Sequence, residues 1–149
     1  MLVIQMLAAD IDRVYEIASV SLDEVYVKEV FFLFISGWPA GQLVAVNDIG
    51  TIIGFLSGAR LTSDKVTIPL FGVDPRYRRM KAGSRLMEEF RMRTVMDGKQ
   101  YVQLEVKDTN TAAIAFYRSQ GFVPVEYLDS FYNTGSNAVR MICGAYGNA

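Results

Sequence analysis

Apolar runs of strand length alternate with amphipathic segments of helix length along the chain, and this alternation constrains the fold more than any other feature. The strand-like runs are residues 2–7, 43–46, 52–61, 66–73, 101–106, 123–127 and 138–143. Turn-forming residues at 47–50 and 133–137 separate two pairs of these runs, which is typical of hairpins. Strands and helices in this order predict an α/β or α+β domain, with a mixed sheet covered by helices.

The helical segments show apolar residues at intervals of three and four. One helix is predicted from Asp10 and a second from near Ser21 to 37–39. A third follows the loop 74–84 and ends at Gly98, and a fourth runs from Asp108 or Asn110 to Gly121. Their inward-facing residues are predicted to be Ile11, Val14, Ile17, Ala18, Val27, Val30, Phe31, Phe34, Leu86, Met87, Phe90, Thr94, Val95, Ala113, Phe116 and Tyr117.

The composition predicts one folded domain over residues 1–149. Hydrophobic residues make up 51% of the chain, which is enough for a core. Because 15 basic and 16 acidic side chains nearly cancel, no broad positive field attracts nucleic acid or anionic lipid. No apolar run approaches the roughly 20 residues of a membrane span, and the N-terminus has no leader pattern. We expect a soluble, cytoplasmic protein that is a monomer or a homodimer.

The chain contains no histidine and one cysteine, Cys143. An internal disulfide is therefore excluded, and no metal site is predicted because most zinc sites use histidine. Proton transfer near neutral pH must use a carboxylate, tyrosine, lysine or water. Cys143 is expected to pack in the core rather than to act as a nucleophile.

A strand, a basic glycine-containing loop and a helix follow one another over residues 66–95. Free N–H groups and the helix dipole converge at such a helix start, which favours phosphate binding. Arg78, Arg79 and Lys81 add full positive charges. The glycine spacing fits neither the Walker pattern nor the dinucleotide fingerprint, so a solvated basic turn is an equal alternative on this pattern alone.

Two motifs resemble the GNAT acetyltransferase superfamily. Residues 104–122, LEVKDTNTAAIAFYRSQGF, resemble its signature L-E-V-R-x-x-N-x-x-A-I-x-L-Y-x-x-x-G-F, and residues 73–79, VDPRYRR, resemble its V-D-P-x-Y-R motif. The resemblance implies a mostly antiparallel sheet with helices on both faces and acetyl-CoA as the cofactor, bound in a V-shaped opening between two strands. The implied cofactor-binding residues are Phe71, Gly72, Val73, Arg78, Arg79, Met80, Lys81, Ala82, Gly83, Ser84, Asn110, Ala113 and Tyr117.

Further stretches resemble protein N-terminal acetyltransferases of the ribosomal-protein alanine type. Residues 22–26, LDEVY, are similar to their L-P-E-N-Y helix, Trp38-Pro39 to their W-P turn, and residues 131–138, FYNTGSNA, to their Y-Y-x-x-G-E-D-A hairpin. Asp23, Val25 and Ser136-Asn137 differ from these patterns, and Lys81 replaces the first glycine of the cofactor loop. The implied acceptor is the N-terminal α-amine of a protein or peptide, with association with the ribosome left open.

The resemblance assigns roles at the reaction centre. Glu105 would accept the proton of the amine directly or through water, and the strand alternation places it opposite the apolar face of Val102, Leu104 and Val106. Tyr117 would donate a proton or a hydrogen bond to the departing thiolate. The other assignments are Glu24 as an acceptor-side catalytic residue and Glu24, Tyr26, Phe131 and Tyr132 as acceptor-binding residues.

Each assignment has a structural alternative. Glu105 could be a solvated strand residue, Tyr117 a packing residue and Asn110 a helix cap. Glu24 could complete a capping box with Ser21, and the acceptor-side tyrosines could be ordinary half-buried aromatics. Two other functions also remain open: acetylation of a small amine such as a polyamine or antibiotic, and an inactive coenzyme-A-binding regulatory module, which Lys81 alone suggests.

Overall fold

The computed structural model describes residues 1–22, 24 and 26–146. The strands in this part of the chain are β1 (Leu2–Gln5), β2 (Gln42–Val46), β3 (Ile52–Arg60), β4 (Lys65–Val73), β5 (Tyr101–Lys107), β6 (Val123–Leu128) and β7 (Ala138–Gly144). The α-helices there are α1 (Ile11–Ser21), α2 (Glu29–Gly37), α3 (Ala82–Met96) and α4 (Thr111–Ser119).

These strands form one seven-stranded sheet in the order β1-β2-β3-β4-β5-β7-β6. Among the described strands, β4 and β5 are the parallel pair, and every other neighbouring pair is antiparallel. The predicted mixed, mostly antiparallel sheet is therefore confirmed. Gly50, at the predicted hairpin turn, has the positive φ of 85° that favours glycine in tight turns.

Helices cover both faces of the sheet. α1 and α2 bury one core, in which the rings of Phe31 and Phe55 meet edge to face at 5.6 Å. α3 and α4 lie on the opposite face, where Trp38 and Phe90 make a similar contact at 5.6 Å. Every predicted inward residue of α1 is buried, because its three-and-four spacing matches the helical turn.

The parallel pair β4 and β5 separates after three residues. Lys65–Thr67 pairs with residues 101–103, and beyond that point β5 pairs with β7 alone. Pro69 follows in β4, where it has no N–H to donate and where the register against β3 shifts between Ser57 and Ala59. The ends of β4 and β5 therefore diverge, which confirms the predicted V-shaped opening.

The second helix was predicted too early. α1 continues through Ser21, whose hydroxyl donates to the Ile17 carbonyl at 2.6 Å, and α2 begins only at Glu29. Ser21 is thus the last residue of a helix, and the predicted capping box between Ser21 and Glu24 is wrong. Val27, predicted to face inward, is 64% exposed on the connecting segment. Asp23 and Val25, which differ from the family pattern, lie outside the described residues.

Gly72 fixes the end of α1 against the sheet. A Cβ at this position would lie 2.4 Å from the Ser21 hydroxyl oxygen, so only glycine allows the two elements to approach so closely. The end of α1 is thereby held beside the opening between β4 and β5. No helix in the described residues is both long and apolar enough to cross a bilayer, and the cytoplasmic location stays a prediction.

Candidate active site

The loop after β4 begins at a buried ion pair. The carboxylate of Asp74, 3% exposed, accepts hydrogen bonds from Arg76 at 2.9 Å and from Arg13 of α1 at 2.8 Å. It also accepts from the Arg76 backbone N–H at 3.0 Å. These donors, Arg76 first, hold the pKa of Asp74 well below its usual range despite its burial. The start of the loop is therefore fastened to α1.

The rest of this loop combines two left-handed residues with the start of a helix. Arg79 and Lys81 adopt positive φ angles of 73° and 62°, and α3 begins immediately afterwards at Ala82. The first-turn N–H groups of α3 have no acceptor within their own helix and point back toward the loop. Of the predicted loop residues, those at 78–81 are exposed, whereas Ala82 is buried and Gly83 and Ser84 are partly buried.

The end of β4 lines the opening with backbone. Phe71–Val73 pairs with β3, so its backbone groups that point away from β3 face the gap toward β5. The Phe71 ring packs against Phe116 at 6.0 Å and Tyr117 at 6.2 Å. A Cβ at Gly83 would contact the Phe116 and Phe71 rings at 3.4 and 3.5 Å. Strand, loop and α4 therefore meet at these rings.

Asn110 caps α4. Its side-chain oxygen accepts from the Ala113 N–H at 3.1 Å, which is the geometry of an N-cap. Ala113 in turn packs against the core on the α3 side. The helix cap that the sequence allowed for Asn110 is therefore present, and Asn110 is exposed at the start of α4.

Glu105 lies on β5, and Tyr117 lies on α4, the helix that follows this strand. The Glu105 side chain is 18% exposed, and its Oε2 accepts from Arg140 Nε at 2.9 Å and from Gln103 Nε2 at 3.1 Å. Tyr117 projects from α4 among aromatic rings, and burial raises the pKa of its phenol, with a smaller contribution from Tyr132. Tyr117 is therefore held as a neutral phenol.

The acceptor-side residues gather next to this pair. Glu24 Oε1 lies 3.1 Å from the Lys107 ammonium nitrogen and accepts from the Thr134 hydroxyl at 3.1 Å. Lys107 also stands 5.9 Å from the centre of the Tyr132 ring. The ion pair joins Glu24 to the end of β5, and the Thr134 hydrogen bond joins Glu24 to the loop before β7.

The pKa values of Tyr26 and Tyr132 are shifted by burial and by charged groups of the same cluster. Burial raises the pKa of Tyr132, and Tyr26, Glu105 and Glu24 raise it further. Burial and then the charge of Glu24 raise the pKa of Tyr26. Phe131 is more exposed and packs edge-on against Tyr132 at 5.1 Å. The structure thus brings together Glu24, Tyr26, Glu105, Tyr117 and Tyr132.

The sequence analysis did not single out four polar residues of this cluster. They are Gln103, Lys107, Thr134 and Arg140. The alternation of the strand predicted that Gln103 and Lys107 share the face of Glu105, but alternation alone assigns no role to them. Arg140 could be identified only from the register of β7 against β5, which no local sequence pattern predicts. Cys143 is buried beside Arg91 outside the cluster, and burial raises the pKa of its thiol.

Comparison with known proteins agrees with this geometry. The sequence profile of the acetyltransferase (GNAT) family matches residues 11–122. N-alpha-acetyltransferase RimI of Mycobacterium tuberculosis is 33% identical over 107 residues, which cover 69% of this chain and 66% of that protein. The crystal structure of Ard1 from Thermoplasma volcanium superposes with a TM-score of 0.92 at 34% identity and covers 96% of both chains.

A more distant structure shares the fold and carries ligands. The NatC complex bound to Gag peptide and CoA matches with a TM-score of 0.87 at 18% identity, over 96% of this chain and 97% of that chain. The chain spans 66% of the length of N-alpha-acetyltransferase 30 from Dictyostelium discoideum and 34% of the Homo sapiens protein of that name. Because the family profile covers most of its length, this chain belongs to the acetyltransferase (GNAT) family.

Proposed function

We propose that residues 1–149 act as an acetyl-CoA-dependent N-acetyltransferase that modifies the N-terminal α-amine of proteins or peptides. One observation carries this proposal: the gap between β4 and β5 has an exposed basic loop and a helix start on one side and the Glu24–Lys107 cluster on the other. Such an opening lets a phosphate-bearing acyl donor and an amine acceptor meet from two directions. Relatives that are named N-alpha-acetyltransferases, from Dictyostelium discoideum and Mycobacterium tuberculosis, support the acceptor class.

The cofactor would lie along the end of β4 and over the start of α3. The pyrophosphate would lie on the loop 78–84, where three cationic residues of the chain, Arg78, Arg79 and Lys81, directly precede the free N–H groups of the helix start. The pantetheine arm fits the open backbone edge of Phe71–Val73, beside Asn110 and Ala113. When bound, the cofactor supplies an activated acetyl group as a thioester.

The residues of the cluster then divide the proton transfers between them. The α-amine, with a pKa of about 7.7–8.0, is far more often neutral near pH 7 than a lysine amine at about 10.4. Glu105, directly or through one water, takes the proton that the amine loses as its nitrogen bonds to the acetyl carbon. Tyr117 would donate its phenolic proton, or a hydrogen bond, to the thiolate that leaves when the thioester is cleaved. In this proposal both substrates are bound together, and the acetyl group passes directly to the amine without an acetylated enzyme.

The acceptor would bind on the side of Glu24. Tyr26, Phe131 and Tyr132 offer rings and hydroxyl groups to a peptide backbone, and the Glu24 carboxylate offers an acceptor to its amine. Because the Lys107 ion pair holds Glu24 at the end of β5, the amine would be placed near Glu105 on the same strand.

Mass spectrometry of a mixed peptide library incubated with acetyl-CoA tests the function. We expect acetylation of α-amines well ahead of lysine side chains, and a thermal shift from acetyl-CoA that corresponds to about 2.7 kcal/mol at 100 times its Kd. Equal modification of both amines would indicate a broader amine acetyltransferase, and binding without turnover would indicate a regulatory module. Co-sedimentation with ribosomes tests that association separately.

A further inference from the structure

We infer that Arg140 is a positioning residue for Glu105, with Glu126 as its second anchor. The three side chains form a row across the sheet, from β6 through β7 to β5. The inference rests on the proposed role of Glu105 in accepting the amine proton. It adds two residues, from strands that carry none of the sequence motifs for the cofactor, to the machinery of that step.

The sheet register creates this row. Arg140 is the direct cross-strand neighbour of Glu105 on one side and of Glu126 on the other. Its Nε donates to Glu105 Oε2 at 2.9 Å, and its Nη1 donates to Glu126 Oε1 at 2.7 Å. Directly opposed residues on one face of a sheet are within reach of one another, so the register alone aligns the three charges.

The two carboxylate oxygens of Glu105 differ in their hydrogen bonds. Arg140 and Gln103 both donate to Oε2, whereas Oε1 accepts no hydrogen bond from any described residue. A carboxylate held through one oxygen presents the other in a fixed direction, toward an amine or a water. Arg140 is itself fixed at both ends of its guanidinium, which a planar group with several donors allows and a lysine does not.

The surroundings of Arg140 indicate that its side chain is not part of the core. Its strand neighbours Val139 and Met141 point into the core and are buried, whereas the Arg140 side chain is 28% exposed on the opposite face. That face carries Glu105 and Lys107 rather than core residues. Loss of the guanidinium should therefore leave the core intact and release the Glu105 side chain.

A double-mutant cycle tests the inference in the full chain, with acetyl-CoA and the best peptide from the library. We expect Arg140→Met to lower kcat about tenfold or more, as loss of a charge-assisted hydrogen bond does, with the KM for acetyl-CoA nearly unchanged. Arg140→Lys should recover part of the loss, and Glu126→Gln should give a smaller one. In a Glu105→Gln background, Arg140→Met should lower kcat less than about twofold.

Arg60→Met is the matched control, because Arg60 is also partly exposed and ion-paired, with Asp97, but lies outside the cluster. Wild-type kcat in Arg140→Met would overturn the inference, and so would an equal loss in both backgrounds, since the residue would then act independently of Glu105. If the wild type turns over no peptide, the proposed function itself fails. NMR provides a readout without turnover: the Arg140 Nε–H should exchange slowly with water and faster in Glu105→Gln, and equal exchange rates contradict the contact.

Discussion

Glu24 and Lys107 form an ion pair of 3.1 Å that joins the segment after α1 to the end of β5. The two side chains are only 13% and 18% exposed, so solvent screens their attraction less than that of a surface pair. The Thr134 hydroxyl binds the same Glu24 oxygen at 3.1 Å. The acceptor side of the opening is thus assembled from three segments that are distant in sequence.

Glu24→Gln should weaken acceptor binding more than it slows the chemical step. The amide keeps the shape of the side chain but loses the charge that pairs with Lys107 and attracts an ammonium group. We expect the KM for peptide to rise about tenfold, equivalent to about 1.4 kcal/mol, with a smaller change in kcat. Steady-state kinetics measure both values, and Glu16→Gln on the exposed face of α1 is the control. A large loss in kcat at constant KM would contradict a binding role.

Glu105→Gln should lower kcat by about a hundredfold, because glutamine cannot accept the proton of the amine. The loss should be greatest below about pH 8, where the α-amine is mostly protonated. A pH profile of kcat from 6 to 9 provides the measurement. Glu88→Gln, an exposed change on α3, should retain the wild-type profile. Identical profiles for both variants and the wild type would remove Glu105 from the mechanism.

Tyr117→Phe should slow thiolate departure with little effect on folding, since the rings of Phe71, Phe116 and Phe122 still surround the site. We expect kcat to fall about tenfold or more. Because burial raises the pKa of Tyr117, its phenol stays protonated above the ordinary value of about 10, and wild-type kcat should show no basic limb below that pH. Tyr146→Phe is the exposed control, and a kcat equal to wild type in Tyr117→Phe argues for a packing role.

Asp74→Asn should destabilise the fold by about 2 kcal/mol, because it removes the charge that binds Arg13 and Arg76. The pKa of Asp74 is lowered on folding, so the carboxylate stabilises the protein at pH values above its unfolded pKa of about 3.9. That contribution disappears as the pH falls through the lowered value. Urea unfolding at pH 7 and pH 3 should show a smaller difference between variant and wild type at pH 3. Asp12→Asn, at an exposed ion pair, should change stability little at either pH.

Two variants at Lys81 separate the effect of backbone strain from the effect of the side-chain charge. Its φ of 62° is unfavourable for a side chain, so Lys81→Gly should raise the free energy of unfolding by about 1 kcal/mol, whereas Lys81→Met keeps the strain. We expect Lys81→Met to bind acetyl-CoA more weakly than the wild type, with a difference that shrinks at high salt, because the ammonium would face a phosphate. Calorimetric titrations at two salt concentrations measure this. Tighter binding by Lys81→Gly with no loss in Lys81→Met would refute that role.

Local pattern in the sequence was sufficient for most elements. The spacing of Ile11, Val14, Ile17 and Ala18 predicted the buried face of α1, and the alternation around Glu105 predicted which side of β5 faces the core. These signals are local because a helix repeats every 3.6 residues and a strand every two. The start of α2 was misplaced because Ser21 can cap a following helix or bond back to its own, and packing of α1 against Gly72 decided between them.

The sequence by itself determined the strand and helix faces, the basic loop before α3 and, through its motifs, the family. The tertiary structure alone decided which charged residues meet. Arg140 reaches Glu105 through the register of two strands, and Glu24 reaches Lys107 because α1 packs beside the point where β4 and β5 separate. Such contacts depend on how distant segments pair and pack. The type of residue at one position therefore does not predict which distant residue the fold places beside it.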